Sequence, residues 1–360
     1  MIAPADEAEL AEAIGAARGP LAVRGGGTRS APAAGEVLSV GRLSGIVLHE
    51  PAALTLVVRA GTPLSEVEAV LARAGQRLAF EPWDARPLTG ATGEPTIGGV
   101  AAANVSGPRR VQAGAARDAM IGVRFVDGTG LIVANGGRVM KNVTGYDLVR
   151  LVAGSRGALG VITEIAFRLQ AIPETEATLV LSGLDDGAAV ALLARALGSP
   201  YDVSGAAHAQ GRTCLRVEGL AGSVGYRVQA LRRHLGGGEV REAEESAVLW
   251  RALRDGMVPG ARDPESEVWR VSVRPSDGPR VAASLPGAQA AYDWGGGLVW
   301  LRLPPGRDRE VAAVVGRLGG HAERPGGPVL RSDGPGVAAL TAGLRARFDP
   351  RGLFNPGPEG

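Results

Sequence analysis

Apolar and polar positions alternate with two rhythms along the chain. From residue 20 onward, short β-rich runs recur between Gly and Pro: LAV at 21 to 23, VLSV at 37 to 40, IVLHE at 46 to 50 and LTLVVRAG at 54 to 61. Runs of this length, rich in branched residues and bounded by turn formers, predict strands. The period then changes. In TPLSEVEAVLARAGQ, Leu64, Val67, Val70 and Leu71 share one helical face, Thr62 is placed to cap, Pro63 suits the first turn and Gly75 ends it. A helix is also predicted at the N-terminus, where Asp6 and Glu9 have capping-box spacing ahead of Leu10, Ala13 and Ile14. MIGVRFV and LIVA, joined by residues 127 to 130, read as a hairpin, and VITEIAFRL closes this half as a strand.

Beyond Pro173 the composition shifts. Strand-like TLVLSGL, helical DDGAAVALLARALG, strand-like RTCLRVEGL and helical SVGYRVQALRRHLG alternate, which predicts an antiparallel sheet with helices on one face. Further strands are expected at 268 to 273 and 298 to 304, a helix at 309 to 320, and a Pro/Gly-rich tail ends in FDPRGLFNPGPEG. The fold class expected is therefore α+β. A chain of 360 residues exceeds the usual single core, so two domains are expected.

Composition narrows the function. The net charge is only +2, with Arg and acidic residues interspersed, so no footprint for nucleic acid is present. Cys214 is the sole cysteine. It can form no internal bridge or cysteine metal cluster, and it fits a reducing compartment. The N-terminus lacks a basic start and an unbroken apolar core, and no segment approaches a bilayer span. A cytoplasmic protein is expected, reaching a membrane only indirectly, at the inner membrane through partners. Lys141 is the only lysine among 39 basic residues. In a chain whose basic positions are otherwise Arg, a retained lysine suggests a need for a compact ammonium, with chance as the plain alternative.

Three glycine-rich segments carry the candidate chemistry. RGGGTRS, with Arg24, Gly25, Gly26, Gly27, Thr28 and Arg29, follows a short strand and offers consecutive amides able to cradle a pyrophosphate. It is neither a Walker loop nor a Rossmann fingerprint, and alone it also reads as a turn. PTIGGVAAANVSGPRR places Gly98 and Gly99 beside small alanines, with Thr96, Asn104, Ser106 and Gly107 able to line the edge of a flat ligand. GSRGALGVIT brings the chain past such a ligand into a strand through Gly160, Val161 and Ile162.

The order RGGGT, TIGGVAAANVSGPRR, RDAMIGVRFVDGTG, GGRVMKNVTGYDLVRLVAGSRGALGVITEIAFRL and FNPG resembles the flavoprotein family named for vanillyl-alcohol oxidase and p-cresol methylhydroxylase (PCMH-type FAD-binding). The RVMKNVTGYD wording, with LWRALRDG, WRVSV and DWGGGLVWLRL, is similar to the small FAD-binding subunits of bacterial glycolate oxidase (glycolate dehydrogenase). The resemblance implies a PCMH-type FAD-binding domain of two α+β subdomains over residues 1–172. A reduced α+β cap over 173–340 and a tail over 341–360 returning to the flavin domain would follow. FAD would contact residues 24 to 29, Thr96, Gly98, Gly99, Asn104, Ser106, Gly107, Lys141, Asn142, Gly160, Val161, Ile162 and Asn355. Family members with covalent FAD carry His where this chain has Thr28, so non-covalent FAD is implied.

Relatives that oxidise D-2-hydroxy acids unaided carry clustered metal-binding histidines. Here His49, His208, His234 and His321 are scattered and no metal site is read. Asp293, Trp294, Trp300 and Arg302 are candidates for a lining above the flavin, Arg302 to hold a carboxylate. Arg302, Tyr146 and Lys141 are the catalytic candidates, and no general base is assigned. The implied function is an FAD-binding subunit of a complex oxidising the small 2-hydroxy acid glycolate, and D-lactate, to the 2-oxo acid. A larger FAD-binding subunit and an iron–sulfur subunit would pass electrons to an acceptor other than oxygen. The alternatives are a self-sufficient small FAD-dependent dehydrogenase and a non-catalytic assembly subunit that keeps the flavin fold.

Overall fold

A computed structural model describes residues 1–29, 34–137, 145–256, 265–331 and 333–355. Lys141 and Asn142 lie outside these residues. In the first half, Leu21–Arg24 pairs in parallel with Glu36–Ser39. An antiparallel sheet follows in the order Ile46–Glu50, Thr55–Arg59, Val161–Arg168, Met120–Val126, Ile132–Gly136. The helix Leu64–Arg73 buries Leu64, Val67 and Leu71 as its period requires. Its start differs from the expectation: Pro63 occupies the N-cap without a side-chain bond. Thr62 is instead fully buried, its hydroxyl donating to the Arg59 carbonyl at 2.7 Å and accepting from the Gly45 amide at 2.8 Å. Asp6 does cap Glu7–Ala16 through the Glu9 amide, while the Glu9 carboxylate turns to the Ala5 amide.

The second half is a nine-stranded antiparallel sheet in the order Glu239–Glu242, Thr175–Ser182, Arg212–Gly219, Val203–Ala209, Gln289–Asp293, Leu298–Leu303, Glu267–Ser272, His321–Glu323, Val329–Arg331. Successive side chains of a strand point to opposite faces, so each strand serves two environments. On one face Leu179, Ala206, Leu215 and Val217 pack with residues of the helices Asp186–Leu197 and Ala221–Leu235. Farther along, Trp269, Val271, Tyr292, Val299 and Leu301 pack with Val311, Val314 and Val315 of Asp308–Leu318. The other face turns to the first half: Ala207, Cys214, Ala291, Leu298 and Trp300 join a core with Phe80, Trp83, Ile97, Phe125 and Phe167.

Several elements were not expected, among them two central strands and two long helices. Val203–Ala209 reads SGAAHA after its first residue, with no branched or aromatic side chains to mark it, and Gln289–Asp293 is only five residues long. Ala243–Arg254 and Pro335–Phe348 are helices. After the latter, Phe354 bridges to Leu21, so the tail closes on the first strand of the chain.

Candidate functional site

At the end of Leu21–Arg24 the chain enters the glycine loop, with Gly27 at a φ of 66°. Among the described residues, the five amides of residues 25 to 29 donate to no other group. Side chains are barred from this loop by the strand of chain beside it. A Cβ on Gly26 would lie 1.6 Å from the Glu94 carbonyl oxygen, and one on Gly25 2.4 Å from Thr96 Oγ1. Thr96 also caps Ile97–Ala102 through the Gly99 amide at 3.2 Å.

Asn355 fixes the loop from the other side. Its Oδ1 accepts from the Val23 amide at 2.8 Å, and its Nδ2 donates to the Arg156 carbonyl at 2.9 Å. One side chain thereby ties the strand that feeds the first glycine loop to the segment containing Gly157 and Gly160. Asn104 and Ser106 shape their own turn: Asn104 Oδ1 accepts from the Arg117 amide, and Ser106 Oγ from the Ala116 amide. A Cβ on Gly107 would lie 2.3 Å from the Glu81 carbonyl oxygen, while the Gly107 carbonyl accepts from Trp294 Nε1 at 2.9 Å. Gly98 and Gly160 are equally constrained, by Ala60 and by the Phe125 ring, and Val161 and Ile162 lead buried into the strand. Tyr146 is 87% exposed.

Charged side chains from the nine-stranded sheet meet this region in two clusters. In the first, Arg216 donates to both oxygens of Glu81 at 2.9 and 2.8 Å, while Arg109 and Arg77 converge on Glu218 Oε1 at 2.5 and 2.9 Å. Burial alone would raise the Glu218 carboxyl, but Arg216, Arg109 and Arg77 outweigh it and hold it down at about 2. In the second, Arg270 donates to Glu323 Oε1 at 2.9 Å, and Arg156 bonds the other oxygen of Glu323. Arg29 joins them, donating to the Trp83 carbonyl with its Cζ 4.5 Å from the centre of the Trp83 ring. Burial lowers the Arg29 guanidinium to about 10, against the pull of Glu323 and Asp84, so it stays charged at neutral pH. Asp293, buried beside both clusters, is raised by that burial to about 7.

Arg302 is placed apart from the second cluster. It pairs in register with Val268, two positions from Arg270, and its Nε donates to Ser266 Oγ at 2.8 Å. The expectations missed Arg270, Arg156, Glu323 and Trp83. A signal for Arg270 exists in the sequence: it interrupts VWRVSV as a lone charge within an apolar strand. Its partner Glu323 is 53 residues away and no spacing links them.

The arrangement suits a dinucleotide. A pyrophosphate accepts several amide hydrogen bonds, and the five amides of residues 25 to 29 are unengaged among the described residues. The profile of an FAD binding domain family matches residues 1–135. Glycolate oxidase subunit GlcE of Escherichia coli is 38% identical over 349 residues, 94% of this chain and 92% of that protein. Glycolate oxidase subunit GlcD of Bacillus subtilis is 45% identical over 85 residues, 24% of this chain and 18% of its own. A solved structure of alkyldihydroxyacetonephosphate synthase superposes with a TM-score of 0.70 at 15% identity, covering 98% of this chain and 76% of that one, and so shares the fold. The chain belongs to the PCMH-type FAD-binding oxidoreductases, in the family of glycolate oxidase subunit GlcE. Its cofactor is FAD, and it is an FAD-dependent oxidoreductase. Among the described residues no helix is long and apolar enough to cross a membrane.

Proposed function

We propose that the chain is the FAD-binding subunit of a complex that oxidises glycolate to glyoxylate, with D-lactate to pyruvate as a second reaction. A larger FAD-binding subunit and an iron–sulfur subunit carry the electrons to an acceptor other than oxygen. The complex works in the cytoplasm, at the face of the inner membrane when its partners attach there. The observation that carries this reading is the match to the E. coli subunit across nearly the full length of both chains. Residues 1–172 form the flavin domain, 173–340 the cap and 341–360 the returning tail.

FAD, when bound, supplies the acceptor for the hydride released from the substrate carbon. The chain's own residues bind and orient. The free amides of residues 25 to 29 hold the pyrophosphate, and Thr96, Gly98, Gly99, Asn104, Ser106 and Gly107 run along the cofactor. Residues 160 to 162 meet its far end, and Asn355 keeps the two glycine loops in register. Thr28, buried in the first loop, has no nitrogen with which to form a histidyl link, so the cofactor is held without a covalent bond.

An anaerobic visible spectrum tests the reading. The FAD-loaded chain alone is expected to stay yellow with glycolate, and to bleach once the two partner subunits are added. Bleaching by the chain alone would establish the self-sufficient dehydrogenase instead. A complex that never bleaches with glycolate contradicts the substrate.

A further inference from the structure

Buried polar atoms that make no hydrogen bond cost free energy, and each one in a native fold requires an explanation. In the cluster around Arg216 the unpartnered atoms include one donor and one acceptor that face each other: Arg216 Nε and Glu218 Oε2 are 3.4 Å apart. In the cluster around Arg270 the unpartnered nitrogens are all donors: Arg270 Nε, Arg29 Nη1 and Trp300 Nε1. They belong to one place. The Trp83 and Trp300 rings meet edge to face at 5.5 Å, and Arg270 Cζ lies 5.7 Å from the Trp83 centroid, 4.8 Å from that of Trp294 and 5.8 Å from that of Trp300. Charge runs the same way as the hydrogen bonds. Arg156 and Arg270 converge on a single carboxylate, Glu323, whose field also reaches Arg29, while Asp84 is engaged by Arg86 at 2.9 Å.

A buried surplus of cationic donors calls for a ligand that brings acceptors and negative charge. The guanidinium of Arg270 is oriented for one. Its Nη1 is taken by Glu323, which fixes the plane, and its Nη2 makes only a 3.5 Å contact with the Ser106 carbonyl. Nε and Nη2 together form the edge of an arginine that matches the two oxygens of a carboxylate. Three tryptophan rings are centred within 5.8 Å of Arg270 Cζ and give the site an apolar surround. Toward solvent stands the half-buried Trp294, with Arg110 Cζ 4.5 Å from its ring.

We propose that Arg270, with the Trp300 indole N–H beside it, binds the carboxylate of the 2-hydroxy acid; this rests on the reading of the chain as part of a hydroxy-acid-oxidising flavoprotein. Arg29 and Arg156 keep the pocket positive, and Glu323 holds Arg270 in its orientation. Arg302, bonded to Ser266 two register positions away, is not the carboxylate ligand.

The test uses the full chain loaded with FAD and titrated with oxalate, a two-carbon dicarboxylate with no hydride to lose, followed by the flavin difference spectrum and by the thermal shift of the protein. In Arg270→Met the oxalate concentration for half-saturation is expected to rise about 100-fold, with FAD affinity changed less than about threefold. Arg270→Lys keeps the charge and loses the two-point edge, so it should fall between the two, about 10-fold weaker than the wild type. Trp300→Phe keeps a ring and deletes the donor, and about fivefold weaker binding is expected. Oxalate binding within twofold of wild type in Arg270→Met would sink the proposal, as would a wild type that does not bind oxalate. Loss of FAD in place of oxalate affinity would assign the cluster to the phosphates of the cofactor and overturn it too. Should Arg270→Met fail to fold, unchanged oxalate binding in both Arg270→Lys and Trp300→Phe is the overturning result. Failure of the functional reading looks different: glycolate would not bleach the assembled complex, while an oxalate site sensitive to Arg270 would persist.

Discussion

Arg216 and Arg270 stand on the same face of one sheet, each stacked near tryptophan, Arg216 at 4.7 Å from the Trp250 ring and Arg270 at 4.8 Å from that of Trp294. Their surroundings are built to different ends. Around Arg216, two glutamates from opposite halves of the chain answer three arginines, and the guanidinium donates to both oxygens of Glu81 while its Nε faces Glu218 Oε2 at 3.4 Å. That is a brace, joining Glu81 of the first half to Glu218 of the nine-stranded sheet. Around Arg270, Arg270 and Arg156 share one glutamate, Arg29 beside them bonds the Trp83 carbonyl, and the leftover groups are donors. A brace that was left short of acceptors would only lose stability, so the imbalance marks the place where a ligand completes the structure. Burial and residue type are alike in the two clusters; the count of acceptors separates them.

The largest effect expected from this comparison is on folding. Arg216→Met leaves Glu81 and Glu218 facing each other with too little positive charge, at a cost of about 3–5 kcal/mol in urea unfolding. The matching change, Arg270→Met, leaves Glu323 still bonded to Arg156 and relieves crowded positive charge, so a loss of about 1 kcal/mol or less is expected. Equal losses would erase the distinction.

Acid comes next. Glu218 has its folded pKa held at about 2, below the ordinary carboxylate value, so its stabilisation is complete above about pH 5 and drains away as pH falls toward 2. Glu218→Gln should flatten that acid limb of the stability curve and cost on the order of 3 kcal/mol at neutral pH. An unchanged acid limb would mean that the brace does not act through Glu218.

The smallest effect lies at Asp293, between the clusters. Burial raises its folded pKa to about 7, well above the ordinary carboxylate value, so the penalty on the fold builds as pH rises from about 4 and is complete above about 7. Asp293→Asn keeps an acceptor for the Trp294 amide and should gain on the wild type as pH rises from about 4 to 7, reaching about 2 kcal/mol at about pH 8, with no gain at about pH 4 or below. Stability curves of the two proteins that run parallel across this range would contradict it.

The parts of this molecule that could be read from its sequence are those whose cause is local. Leu64, Val67 and Leu71 announce a helix by their spacing, the hairpin after Met120 turns where Asp127 can bind the Thr129 and Leu131 amides, and the glycine loops follow strands as a phosphate cradle must. Asn355 was legible too, as the end of a motif, although its two-sided bond to Val23 and Arg156 was not. Thr62 misled because a capping residue type was met where the hydroxyl has closer backbone partners in the sheet. The clusters were beyond reach for a different reason. Arg216 and Glu81 are 135 residues apart, Arg156 and Glu323 167, and only the packing of the nine-stranded sheet on the first half creates them. Arg302 and Arg270 are equally plausible carboxylate ligands on paper; which neighbours each one meets is decided by strand register.

The most direct test is a set of thermal unfolding curves for the wild type, Arg216→Met and Arg270→Met, each loaded with FAD and recorded with and without oxalate. The account predicts that Arg216→Met melts well below the wild type yet is still shifted upward by oxalate, whereas Arg270→Met melts close to the wild type and is not shifted. An oxalate shift that survives in Arg270→Met, or disappears in Arg216→Met alone, would contradict it.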